Sequence, residues 1–366
     1  MESKAWAARR RKRPLGVTGA VCGLALLAAA AGCVGVAPPL PTPTVFTTVT
    51  PAPDVDKTAP PSPAPVPTWP LTGLSGEIKK RPALAVKIEN SPDARPQTGL
   101  EGADVVWEEI VEGGISRYVA VFHSTLPKEI GPIRSIRPMD GGIAGPTRGI
   151  MVFSGGKAPF VEMAREANLQ VLSEDAGSGG FYRVMTRPAP HNVYADPRDF
   201  LKQADKSHKK TPPGEFDFAR NPGAATAATA GRDADLVKLT MSGGAHPRWE
   251  WDAEDSVWLR SEGENPAVSA AGEQLSAVNV VAMEVEQRTA QGRDPAGNSI
   301  PESIVVGKGK GFVATGGKII EVKWSKKAKT KPVVLKTADG SEVKLAPGNT
   351  WVELIPTAYG DWEATS

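Results

Sequence analysis

The chain has 366 residues with 43 basic and 41 acidic side chains, a net charge of +2, and two cysteines. Residues 1–32 carry six of those basic residues and one acid, so the chain that begins at Cys33 holds 37 basic against 40 acidic groups, a balance of −3. Such a chain lacks the basic surplus on which non-specific nucleic-acid binding depends, and no nucleic-acid partner is expected.

The first segment reads as an export signal. Arg9-Arg10-Arg11-Lys12-Arg13 is followed by an apolar run from Leu15 to Gly32, and Ala30-Ala31-Gly32 stands directly before Cys33. A basic start, a short apolar stretch and small residues at a cut describe a secretory signal peptide. With Cys as the first residue after the cut, the pattern resembles a lipobox, in which the thiol takes a diacylglycerol and anchors the protein to the outer face of the membrane. Ala30 stands where Leu is usual. Cys22 leaves with the signal and Cys33 carries lipid, so the mature chain has no disulfide and depends on an apolar core.

Residues 33–80 follow as a lipidated cysteine and a tether. Twelve prolines lie between Pro38 and Pro70, among Thr, Ala and Ser, a composition that favours extended polyproline II and buries little. The first folded region is placed at 81–210. In Leu84-Ala-Val-Lys-Ile-Glu89 apolar residues alternate, and Asp104–Val111 and Arg117–His123 read as two further strands joined through Gly113-Gly114. Gly149–Ser154 is a short apolar strand. Lys157–Gln170 has helical spacing, with Phe160, Met163, Ala164 and Ala167 on one face. Asp196-Pro197 starts another helix, predicted to run to about Ser207. Residues 211–235, rich in Pro, Ala and Thr, read as a linker. Hairpin signals at short spacing then fill 236–356, including Arg248–Trp251 with Val257–Arg260 and the Gly316-Gly317 turn, and 357–366 is a tail. The fold class is an α/β or α+β N-terminal domain with a mixed sheet, followed by a small, mostly β C-terminal domain.

Chemistry concentrates in Gly131-Pro-Ile-Arg-Ser-Ile-Arg-Pro138. Arg134 and Arg137 flank Ser135, and planar guanidinium forks suit phosphate or carboxylate. Arg117 and Arg183 are candidates to join them, with Arg148 and Arg187 further afield; pairing of these arginines with acids of the same domain is the structural alternative. Glu108 and Glu112, four apart on one strand face, are candidates for acid/base work or for a divalent cation. His191, in Pro188-Ala-Pro-His-Asn192, suits a general base or a loop fastener. The four histidines and two cysteines show no zinc spacing, and the sequence names no cofactor.

On these residues the chain resembles the YerB-like lipoproteins, built from an N-terminal and a C-terminal domain of unknown function. The resemblance rests on Leu84–Asn90, Ala94–Leu100, Ala103–Glu108, Val111–Arg117, Gly131–Pro138 and Ala189–Asn192, and later on Gly307–Gly311, Trp324–Lys327 and Pro347–Trp351. It implies an envelope lipoprotein without a settled activity. Lys87 departs from it, standing where the family often has an apolar residue. A weaker likeness, to LytR-CpsA-Psr phosphotransferases, lies in the order Arg117, Arg-Ser-x-Arg and Phe153-Ser-Gly-Gly156; the Pro-Arg-Asp signature of those enzymes is absent, since Pro138 follows Arg137. The expected role is a lipid-anchored envelope protein that binds an anionic cell-wall or polyprenyl-phosphate ligand. The alternatives are a phosphotransferase or hydrolase of wall linkages, or a structural partner of a membrane complex.

Only the Cys33 thiol can form the acyl-glycerol thioether. Cys33→Ala is expected to abolish metabolic lipid labelling and membrane retention, and unchanged labelling in that variant refutes the anchor.

Overall fold

The computed structural model describes residues 66–294 and 296–366; Cys33, the signal and most of the tether lie outside them. The four strands predicted for the first region form, as β1 (Leu84–Glu89), β2 (Val105–Ile110), β3 (Ser116–Phe122) and β4 (Ile150–Phe153), and a fifth that was not predicted, β5 (Gln170–Ser173), follows. β2 and β3 turn through Gly113 and Gly114, whose φ values of 75° and 71° favour glycine. The three strands β1, β2 and β3 are buried along their whole length, as expected of a sheet covered on both faces.

One large mixed sheet spans both halves of the sequence. Its order is Val334–Lys336, Lys318–Lys326, Gly307–Thr315, Asn279–Val285, Thr350–Pro356, β2, β3, β1, β4, β5, with Arg232–Asp233 added beside Lys318–Lys326. The halves meet where β2 pairs in parallel with Thr350–Pro356, in the register Val106 to Trp351 and Glu108 to Glu353. β1, β4 and β5 are mutually parallel neighbours, and β1–β3 and β2–β3 are antiparallel. Gly307–Gly311, for all its glycine, is the start of a strand. A Cβ at Gly311 would fall 1.8 Å from the Ala282 carbonyl oxygen, so the strands could not approach with any other residue there.

On one face of this sheet pack helices α1 (Asp140–Ala144) and α2 (Ala158–Glu166), over Trp107, Phe153, Met283 and Val352. α2 buries Phe160 and Ala164 as predicted but is shorter than 157–170. Asn168 takes a left-handed φ of 62°, which ends the helix and turns the chain into β5. The other face is covered by α3 (Pro197–Lys202) and a second sheet ordered Asn265–Pro266, Val257–Glu262, Pro247–Asp252, Leu236–Thr240, Asp361–Thr365. Asp196 caps α3 through the Arg198 amide; Asp205 caps a separate turn at Lys206–His208, so the helix stops short of Ser207. Trp249, Trp258 and Val237 of the second sheet meet Val106, Tyr118, Phe312 and Trp351 of the first.

Three expected boundaries differ from the structure. Leu71, placed in the tether, is a core residue. The linker at 211–235 is packed: Phe216 stacks on Trp107 at 6.4 Å, Glu215 accepts from the Val333 amide, and Ala227 is buried in the helix Thr226–Ala230. The tail supplies Asp361–Thr365, which pairs with Leu236–Thr240. Small residues looked like a linker because Ala and Thr carry little hydrophobic signal, yet small side chains are what a close approach to the sheet permits.

Because β2 needs Thr350–Pro356 as a neighbour, a fragment ending at residue 235 is expected to lack a cooperative unfolding transition, whereas residues 66–366 give a single one. Circular dichroism melts of both decide it, and two independent transitions in the longer protein contradict the shared sheet.

Candidate functional site

β2 carries adjacent acids to opposite faces of the sheet. Glu108, on the side of Val106 and Ile110, is fully buried against Arg260, which is also fully buried. Arg260 Nη2 donates to both Glu108 oxygens at 3.0 and 2.7 Å, and its Nη1 donates to Glu262 at 2.7 Å. Tyr118, Trp249 and Trp351 surround the guanidinium with ring centroids 5.0–5.9 Å away, a desolvated cation–π cage. Ser116 Oγ and Trp351 Nε1 complete the hydrogen bonding of Glu108. Glu353, beside it in register, is pushed well above the carboxylate range by burial and by the Glu108 charge, and accepts from Trp249 Nε1 at 2.9 Å. Glu108 is therefore a structural acid and stands in no open cleft.

Glu109 points to the other face. It pairs with Lys87, which also reaches Asp140 at 2.9 Å, and all three side chains are fully buried. One cation between two buried carboxylates cannot neutralise both. Burial and the neighbouring Asp140 raise Glu109 from the ordinary 4.5 to about 8, against the opposing pull of Lys87. Asp140 also accepts from the Arg137 backbone amide at 2.7 Å, which fixes the start of the arginine loop's return.

Glu112 does not share a face with Glu108 as expected. It falls in the turn Glu112–Gly114, where the strand alternation has ended, and its Oε2 receives Arg137 Nε at 2.9 Å and Nη2 at 2.7 Å. Arg137 Nη1 donates to the carbonyls of Ser135 and Ile136, so this arginine is fully engaged within the protein. Arg134 Nε lies 3.2 Å from Glu89 Oε1, and His191 Nδ1 lies 3.0 Å from Glu89 Oε2. Glu89 is almost fully buried and also accepts from Ser91 Oγ. In this arrangement His191 sits beside the end of β1.

Arg117 lies between these two pairs. Its Nη1 donates to the Ser135 carbonyl at 3.1 Å, and among the described residues no carboxylate comes within 4.0 Å of it. Burial, then Arg137 and Arg134, hold its pKa down to about 10. Three guanidinium groups thus converge around Ser135 with two acids, Glu89 and Glu112, between them. Arg183 is engaged elsewhere, with Asn192 at 2.8 Å and Glu174 at 3.0 Å. Arg187 donates to the Asp93 and Pro96 carbonyls, and Arg148 is exposed.

The arginine loop is bonded to the loop that precedes α2, through Ile136 N to Gly155 O and Ser154 N to Arg134 O. Between them opens a cleft of about 420 Å³, lined by Glu112, Ser135, Arg137, Lys157 and Asp175, and by Arg293 and Asp294 of the hairpin Gln287–Arg293/Ser299–Ser303. Sequence reasoning missed Glu89, Lys157, Arg260 and Arg293. The one local signal was Lys87, a charge in the middle of a strand whose neighbours are apolar. Among the described residues no group of three or more His, Cys, Asp or Glu is placed to hold a metal, and no helix is long and apolar enough to cross a membrane.

Comparisons with known proteins agree with this architecture. Residues 71–210 match the family model described as protein of unknown function (DUF3048) N-terminal domain, and residues 237–352 match its C-terminal domain. A Bacillus subtilis (strain 168) relative named "Putative lipoprotein YerB" is 29% identical over 298 residues, 78% of this chain and 86% of that protein. The crystal structure of YerB protein from Bacillus subtilis is similar in fold, with a TM-score of 0.69 at 24% identity, over 81% of this chain and 99% of that one.

Glu109 takes up a proton on folding, as does Glu215, which burial raises to about 7. A carboxyl raised in the folded state contributes most below its unfolded pKa, and that contribution is lost as pH climbs to the folded value. Urea-unfolding free energy is therefore expected to fall from about pH 5 upward, by at most about 1.4 kcal/mol per pH unit for each group, with Glu215 and Glu109 contributing up to about pH 8 and Glu353 beyond it. Glu109→Gln should remove the part of the fall that extends to pH 8; an unaltered profile refutes a proton on Glu109.

Proposed function

The chain belongs to the DUF3048 family, and from that premise we propose that it is a lipid-anchored protein of the outer membrane face that binds an anionic envelope ligand beside Arg117, Arg134 and Ser135. The anchor reading draws on the small residues before Cys33 and on the lipoprotein name of the Bacillus subtilis relative. The ligand reading is carried by Arg117, a guanidinium only 6% exposed that donates to the Ser135 carbonyl and, among the described residues, has no carboxylate within 4.0 Å; Arg137 and Arg134 press on it, and Glu112 and Glu89 offset them only from further away. A buried cation in that setting is stabilised by an anion that supplies the missing charge. Arg134 is one-fifth exposed and keeps donors free beyond its contact with Glu89, so it offers the approach from solvent. Arg137 acts differently: its donors are spent on Glu112 and on carbonyls, and it holds the loop in shape.

A ligand of the native state raises the melting temperature. Pyrophosphate is expected to raise it by several degrees over sodium chloride at matched ionic strength, and Arg134→Gln should remove most of that rise. No specific rise, or the same rise in the variant, counts against the site.

A further inference from the structure

The cleft beside the arginine loop asks more of its ligand than negative charge. Glu112 is 5% exposed, and its Oε2 takes both Arg137 bonds while its Oε1 accepts no hydrogen bond from the protein. Asp175 lines the same space, its carboxylate folded over Gly155, with no cation within 4.0 Å among the described residues. Lys157, at the head of α2, and Arg293, on the hairpin from the C-terminal half, line it as well. Arg293 donates to the Gly297 carbonyl, and among the described residues neither cation has a carboxylate within 4.0 Å. Asp294 is occupied by Asn298.

A simple anion would satisfy Lys157 and Arg293 but would leave the buried Glu112 Oε1 without a donor and add like charge beside Asp175. A simple cation would do the reverse. A buried carboxylate oxygen without a donor is costly, and one molecule with a positive donor and an anionic group relieves both sets of groups. We infer that the cleft takes an amphoteric ligand, with an ammonium group received by Glu112 Oε1 and Asp175 and an anionic group by Lys157 and Arg293. The cleft shares Ser135 with the anion reading above, but its anionic end falls to Lys157 and Arg293 rather than to Arg117 and Arg134, so this inference stands apart from that reading. The volume of about 420 Å³ is within the usual range for a small-molecule pocket. A short peptide and an amino-sugar phosphate share this chemistry.

Calorimetric titration of the full-length protein in detergent tests it with alanyl-alanine, glucosamine 6-phosphate, the N-acetyl form of each, and pyrophosphate. At least one of the two amphoteric compounds should bind, and N-acetylation should weaken it at least tenfold; the compound that binds identifies the source. Glu112→Gln should weaken the amphoteric compound about tenfold and leave its N-acetyl form unchanged, while Lys157→Gln weakens both. Asp175→Asn, at an exposed position, gives the same comparison if Glu112→Gln does not fold. Pyrophosphate or N-acetyl compounds binding as well as the amphoteric ones overturns this inference and leaves the anion reading intact. Failure of every compound, pyrophosphate included, overturns both.

Discussion

The Glu108–Arg260 pair is the constraint on which the architecture rests. Taking both charges out of water costs several kcal/mol per ion, and Coulomb attraction offsets that only where geometry and further hydrogen bonds are good. Here one Arg260 nitrogen reaches both Glu108 oxygens, the second terminal nitrogen donates to Glu262, and three aromatic rings surround the guanidinium. Asn90 Nδ2 and Tyr118 add donors to Glu262 from the N-terminal half. The participants come from β1–β2–β3 on one side and from Trp249, Arg260, Glu262 and Trp351 on the other. Neither half could bury its own charges alone, so the pair ties the packing of the second sheet to the pairing of β2 with Thr350–Pro356.

β2 organises both faces by simple alternation. Glu108 faces the tryptophan cage, and Glu109 faces Lys87 and Asp140. Asp140 holds the Arg137 amide, and Arg137 holds Glu112. The arginine loop is therefore positioned by a chain of charge-assisted bonds that begins in the core. It is further fixed against β4 and α2 through Gly155 and Ser154. That rigidity places Arg117 next to two other guanidinium groups without collapse, because Glu89 and Glu112 stand between them. The arrangement has the features of a preorganised site, in which unfavourable charge is held in place by the surrounding fold.

Local pattern made much of this legible. The alternation in Leu84–Glu89, the Gly-Gly turn at 113–114, the Phe160/Ala164 face and the Asp196 cap all rest on contacts a few residues apart, and all appear. Arg117, Arg134 and Arg137 come together around Ser135 because the arginine loop runs along β1 and past the end of β4, within reach of the Arg117 side chain on β3. Long-range partners were not legible. Glu108 meets Arg260 across 152 residues and Trp351 across 243, and no periodicity encodes such a pairing. For the same reason a strand acid looked like a candidate for catalysis when its partner was a distant buried cation. Glu112 was misplaced because the alternation was extended through a turn that starts one residue earlier. The stretch 211–235 looked loose because its anchors are single residues, Phe216 and Glu215, in a run of Ala, Thr and Pro.

The shared sheet also bears on where function resides. The cleft takes Ser135 and Arg137 from the loop before α1, Lys157 from the head of α2, and Arg293 from a hairpin that follows the Asn279–Val285 strand. Asn279–Val285 is held beside β2 through Thr350–Pro356, so the position of Arg293 depends on the same pairing that encloses Arg260. A change in the tryptophan cage would therefore act on the cleft through the sheet, without touching a lining residue. The two matched segments of this chain are in this sense one structural unit. The first contributes the arginines and their acids, and the second adds Arg293 to the lining and supplies the buried cation that lets β2 carry charge at its centre.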